Sequence, residues 1–323
     1  MLYLTQSEIA QIVDMPRAID LMRSAFRQLS NGQAQVPVRE HLQLRDSQTE
    51  AFFMPVYLPE QHYIGQKIVG LNPENPKLGQ PFVQAMILVM DAQTGKVEGL
   101  MEGTWITALR TGAGSGLATE LLALPEAKTL AVFGTGVQAQ TQVAAVCAVR
   151  PMQKLLVYYR NPVQAKAFAE VMKKRHALEV ELCQDKKSLS KAEVICTATT
   201  SFTPLFSLPH LHPSVHINAV GAYRPDMAEV PPAVVAQSLV VIDQKAASLR
   251  EAGDLIQAQI AKQTDADNWV ELGQMVNGKH PGRTEEEQIT FFKSVGNAAQ
   301  DLVVAAFVLA EAKKQGLGQQ LAN

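Results

Sequence analysis

The run "TLAVFGTGVQAQTQVAAVCAV", residues 129–149, constrains this chain more than any other stretch. A short apolar strand enters Gly134-x-Gly136-x-x-Ala139, and a helical pattern leaves it. Gly134 suits a tight turn, Gly136 lets a pyrophosphate reach the N–H groups at the helix N-terminus, and Ala139 permits close helix–strand packing. A second strand, "KLLVYY", follows about 20 residues on, the context that separates a dinucleotide loop from a chance pair of glycines.

The alternation continues through a helix at 161–176 and strands in "LEVELC", "AEVICTAT", "HINAVG" and "LVVID". Strands alternating with helices predict a parallel, doubly wound α/β sheet. Upstream the pattern differs. Residues 6–31 read as helical, with Ile19, Met22, Phe26 and Leu29 on one face and a stop at Asn31-Gly32. From 35 to about 103 come short β-like runs with turn clusters between them, an α+β region of antiparallel strands. Residues 107–124 read as a helix carrying Gly112, Gly114 and Gly116. Each glycine costs roughly 1 kcal/mol against Ala in a helix interior, so another backbone or a ligand is expected close by. Residues 285–320 read as largely helical. A chain of 323 residues is long for one core, and two domains are expected.

Composition excludes some partners. With 47% hydrophobic and 19% charged residues and a formal net charge of −2, nothing favours nucleic acid or an anionic membrane surface. No apolar run approaches the ~18 residues of a membrane span. The first residues show no secretory pattern. Cys147, Cys183 and Cys196 lack metal-ligand spacing, so a cytoplasmic protein with reduced thiols and no metal is expected.

Cofactor choice is read at the end of the second strand. "VYYRNP" offers no Asp or Glu to a ribose but supplies Tyr159, Arg160 and Asn161. Arginine pairs bidentately with a 2′-phosphate and stacks on adenine. This favours NADP(H), with NAD(H) as the alternative.

In the first half, Arg110 falls in the first turn of the predicted glycine-rich helix, where a cation opposes the helix dipole unless an anion is present. Lys67 interrupts the apolar strand "GQKIVGL"; Arg39 in "VPVRE" and Glu50 in "TEAFFMP" have similar settings. Singly, each also reads as a rim residue or a surface ion pair. Together they describe a carboxylate site of two guanidiniums and an ammonium, with one carboxylate nearby.

In order and spacing, "VPVRE", "GQKIV", "ITALRTGAGSGLAT", "FGTGVQAQ", "ICTATTS", "NAVGAYRPDMAE" and "SVGNAAQDL" resemble the ornithine cyclodeaminase/mu-crystallin family over essentially the whole chain. The resemblance implies a substrate-binding and dimerisation domain, 1–116 with 297–323, and a Rossmann domain, 117–296. It implies that Arg39, Lys67 and Arg110 hold a substrate carboxylate, with Glu50 near the substrate nitrogen. The cofactor would meet Gly134, Thr135, Gly136, Val137, Gln138 and Ala139, the segment Thr197, Ala198 and Thr199, the strand end Val220 and Gly221, and Ser294 and Gly296. The partners implied are a small imino or amino acid and a second copy of the chain.

Family members differ in reaction. Cyclodeaminases carry an aspartate two residues past the strand-ending glycine; here that position is Tyr223, a poor base near neutral pH. Arg224, Asp226 and Glu229 read as loop-organising ion pairs. Phe82 stands where members often carry a small hydroxyl residue, making the pocket more apolar, although ordinary core packing also explains it. Both departures, with Arg160, favour reduction of a cyclic ketimine, Δ1-pyrroline-2-carboxylate or Δ1-piperideine-2-carboxylate. Lys67, or a water held by Glu50, is the candidate proton source. Ornithine cyclodeaminase, alanine dehydrogenase and a non-enzymatic NADPH-dependent binding protein are the competing readings.

Overall fold

The computed structural model describes residues 1–322. The chain forms two compact units, one of residues 1–110 with the segment from 297 onward, the other of residues 111–296. The first crossing lies at Arg110/Thr111, inside a helix and earlier than the 116/117 boundary expected.

The first unit is built on a seven-stranded sheet. Its order is Gln319–Gln320, Leu2–Leu4, Val97–Glu102, Val83–Asp91, Tyr63–Leu71, Glu50–Leu58, Glu40–Gln43. All pairings are antiparallel except that of Leu2–Leu4 with Val97–Glu102. The alternation in "EAFFMPVYL" and "YIGQKIVGL" matches strands at those residues, with Met54 opposite Lys67. The segment expected to be helical, 6–31, forms two helices, Gln6–Ile12 and Met15–Ser30. Asp14 opens the second by accepting from Arg17 N–H as an N-cap, with Pro16 in the first turn where its missing N–H costs nothing.

The second unit holds an eight-stranded sheet in the order Val270–Glu271, Ser238–Ile242, Ile289–Lys293, His216–Ala219, Val194–Thr197, Thr129–Phe133, Lys154–Tyr158, Glu179–Cys183. Every pairing is parallel. One face packs Leu130, Val132 and Leu155 with Val143, Phe168 and Met172 of the helices Val137–Val149 and Pro162–His176; the other packs Ala131, Phe133 and Leu156 with Val234 and Leu255 of later helices. This is a doubly wound Rossmann sheet. The segment expected to be helical from 285 contains the inner strand Ile289–Lys293, and its helix is confined to Ala298–Gln315. "ITFFK" is a short apolar run that periodicity cannot assign to strand or helix.

The glycine-rich helix spans Gly103–Leu122, four residues earlier than expected. A Cβ on Gly112 would sit 2.6 Å from the Thr141 carbonyl oxygen, so the close neighbour expected there is the backbone of the helix Val137–Val149. The three cysteines are free thiols, and burial pushes Cys147 and Cys196 up to about 12. Among the described residues no helix is long and apolar enough to cross a membrane, and no group of His, Cys, Asp or Glu could hold a metal.

Candidate active site

In the first unit two of the expected cations, Lys67 and Arg110, meet at one carboxylate that the sequence did not single out. Asp301, in the first turn of the helix Ala298–Gln315, is 1% exposed. One oxygen accepts from Lys67 Nζ at 2.6 Å and the other from Arg110 Nε at 3.2 Å. Gln300 joins them, its Oε1 accepting from Arg110 Nη1 at 2.9 Å and from the Asn297 N–H at 3.1 Å. Lys67 is fully buried, and desolvation lowers its pKa to about 7. Arg110 and Arg39 push the same way, while Asp301 opposes them.

Arg110 is not in a first turn. It lies midway along its helix, so the dipole argument for an anion there fails, and side chains from the C-terminal helix fix the guanidinium instead. Arg39 lies just before the strand Glu40–Gln43, with its guanidinium 4.4 Å above the Phe52 ring. His41 stacks on the same ring at 4.5 Å and approaches Glu50 Oε2 to 3.0 Å. Glu50 is thus a buried carboxylate with a histidine partner. Phe82 is half-buried in the bend before the strand Val83–Asp91.

In the second unit the glycine loop has the shape a pyrophosphate needs. Gly134 has φ +108°, and a Cβ there would meet the Ala198 carbonyl oxygen at 2.6 Å. A Cβ on Gly136 would meet nothing within 4 Å, and the helix beginning at Val137 has no side-chain cap. Its first N–H groups, beside Thr135, Gln138 and Ala139, therefore suit an anion. Arg160 is exposed at the end of the second strand beside the partly buried Tyr159. Asn161 caps the next helix, accepting from the Val163 and Gln164 N–H groups, which commits its oxygen to structure.

The other predicted cofactor segments are held by two buried acids. Glu229 accepts from Thr197 Oγ1, Thr199 N–H and Oγ1, and the Gly221 and Ala222 N–H groups, at 2.7–3.2 Å. Burial raises its pKa. Asp243 Oδ2 accepts from Ser294 Oγ and the Val295 and Gly296 N–H groups. Arg224 and Asp226 form the expected ion pair at 2.6 Å, but Glu229 belongs to no such pair on that loop. Tyr223 is half-buried beyond Val220 and Gly221.

The model of the ornithine cyclodeaminase/mu-crystallin family matches residues 1–316. The chain belongs to that family. Among members, the Δ1-pyrroline-2-carboxylate reductase of Bacillus cereus is 36% identical over 326 residues, covering 99% of either chain. The reductase of the same name from Thermococcus litoralis, solved in complex with NADH and L-proline, is 38% identical and superposes with a TM-score of 0.96 over 99% of this chain and 100% of its own. An archaeal alanine dehydrogenase dimer with bound NAD is 28% identical, with a TM-score of 0.93 over 100% of this chain and 99% of that one.

Proposed function

We propose that this family member reduces Δ1-pyrroline-2-carboxylate to L-proline with a nicotinamide dinucleotide. The observation that carries this reading is the buried Lys67–Asp301–Arg110 cluster, which couples a carboxylate-binding guanidinium to an ammonium poised near neutrality. The full-length likeness to reductases of that name supports it.

When bound, the nicotinamide supplies a hydride to C2 of the imine. Arg110 is turned by Asp301 and Gln300 so that Nη2 remains for a ligand carboxylate, and Arg39 adds a second guanidinium. Holding that carboxylate fixes which face of the C=N bond is presented. Lys67 donates its proton to the ring nitrogen, so a hydride and a proton together complete the amine. An acid with a pKa near the working pH is suited to this step, and Asp301 keeps the ammonium form within reach at pH 7. Tyr223 supplies no carboxylate for the amine of an extended diamine, which argues against ornithine cyclisation.

NADP(H) is the favoured cofactor, because the exposed Arg160 and the partly buried Tyr159 follow the second strand, where an acid would otherwise bind a ribose. A homodimer is the expected assembly. Phe53, Ile64 and Ile68 are 36%, 36% and 47% exposed on one face of the seven-stranded sheet, a patch suited to a second copy. The test is a substrate panel followed at 340 nm with NADPH and NADH. Oxidation with Δ1-pyrroline-2-carboxylate, fastest with NADPH, is expected. Ammonia release from ornithine without cofactor turnover, or oxidation only with pyruvate plus ammonia, would overturn the reading.

A further inference from the structure

Gln300 is completely buried, yet its Nε2 has no hydrogen-bond partner among the described residues. Its orientation is not free to reverse. Oε1 faces two donors, Arg110 Nη1 and the Asn297 N–H, and exchanging the two ends of the amide would set NH2 against both. The group left without a partner is therefore a donor. Asn297, one turn earlier and 3% exposed, repeats the arrangement: its Oδ1 caps the Ala299 N–H while Nδ2 lacks a partner among the described residues. A buried donor left unpaired is costly, and native proteins keep few of them.

The surroundings select the acceptor. Gln300 lies in the first turn of an 18-residue helix, whose dipole and N–H groups favour negative charge. Through Arg110 it is tied to a cluster with more cations than carboxylates. We infer that Gln300 is a substrate-positioning residue, holding Arg110 with Oε1 and donating Nε2 to the carboxylate of the bound imino acid. This rests on the carboxylate-binding part of the function proposed above.

Two variants separate this role from a merely structural one. Gln300→Glu keeps the acceptor for Arg110 and Asn297 but replaces the donor by a negative charge; Gln300→Met removes both. Substrate positioning predicts that Gln300→Glu is the worse variant. Its KM for Δ1-pyrroline-2-carboxylate and its Kd for pyrrole-2-carboxylate, measured by calorimetry on the NADPH-saturated protein, should rise roughly 100-fold or more. Gln300→Met should lose roughly 10-fold, the scale of one hydrogen bond to a charged group. In both variants kcat should fall much less than KM rises. If Gln300 serves only to hold Arg110, the order reverses and Gln300→Glu binds both carboxylates like the wild type; that result overturns the inference while leaving the reductase reading intact. A wild-type protein that neither reduces the imine nor binds pyrrole-2-carboxylate overturns both.

Discussion

Each unit buries a knot of charged groups, and the two knots are wired in opposite ways. In the first unit Lys67 and Arg110 share one carboxylate, Asp301, so donor capacity is left over. In the second, both oxygens of Glu229 are filled by five N–H and O–H groups from fixed loops, and Asp254 accepts from the Glu229 and Val230 N–H groups while pairing with Lys293 at 2.8 Å. Surplus donors in a dry site await an anion; saturated acceptors hold a backbone in place. Burial alone would have marked both as active sites. The balance of charge tells them apart, two cations to one carboxylate in the first knot and one cation to two carboxylates in the second.

The sharpest way to break this comparison is to remove one member of each knot. Arg110→Ala should lower kcat/KM by roughly 10^3-fold, because truncating one partner of a buried charged pair costs about 2–5 kcal/mol. A variant within a few-fold of wild type would take Arg110 out of the site. Glu229→Ala should act on stability and cofactor loops instead. A loss of ~3 kcal/mol in a unit of this size corresponds to about 6–12 °C in Tm. Its Kd for NADPH should weaken while the KM for the imine stays put; a selective rise in the imine KM would erase the distinction. The smallest expected effect is a pH dependence. Lys67 loses its proton as pH rises through about 7, so kcat/KM for imine reduction should fall toward tenfold per pH unit above that point. Lys67→Arg cannot lose its charge in this range, and its residual activity should be flat there. A wild-type profile flat to pH 9 would remove Lys67 as the proton donor.

Much of this was readable in the sequence because it depends on local pattern. The strands Glu50–Leu58 and Tyr63–Leu71 follow from alternation, and the Rossmann unit from glycine spacing and strand–helix order. Lys67 stood out as a lysine in an apolar strand. Asp301 and Gln300 gave no such signal. They sit side by side in the first turn of their helix, where polar residues commonly serve as caps, and their partners lie 234 and 190 residues away in sequence. Glu229 was hidden for a related reason. Its partners are mostly backbone N–H groups, which carry no residue-type signature, so proximity to Arg224 and Asp226 suggested the wrong pairing.

The chain leaves the first unit at Arg110 and re-enters it at Asn297. During synthesis, everything needed for the second unit emerges before Gln300 and Asp301. Domains generally fold as units in order of emergence, so the dinucleotide fold can be complete while Lys67 and Arg110 still lack their acid. Two buried cations without a counter-charge are unfavourable, and the first unit therefore gains its lasting form only when the last helix docks. The Lys67–Asp301–Arg110 cluster doubles as a seal: nascent or truncated protein ending before residue 297 carries both cations and neither of the side chains that aim them.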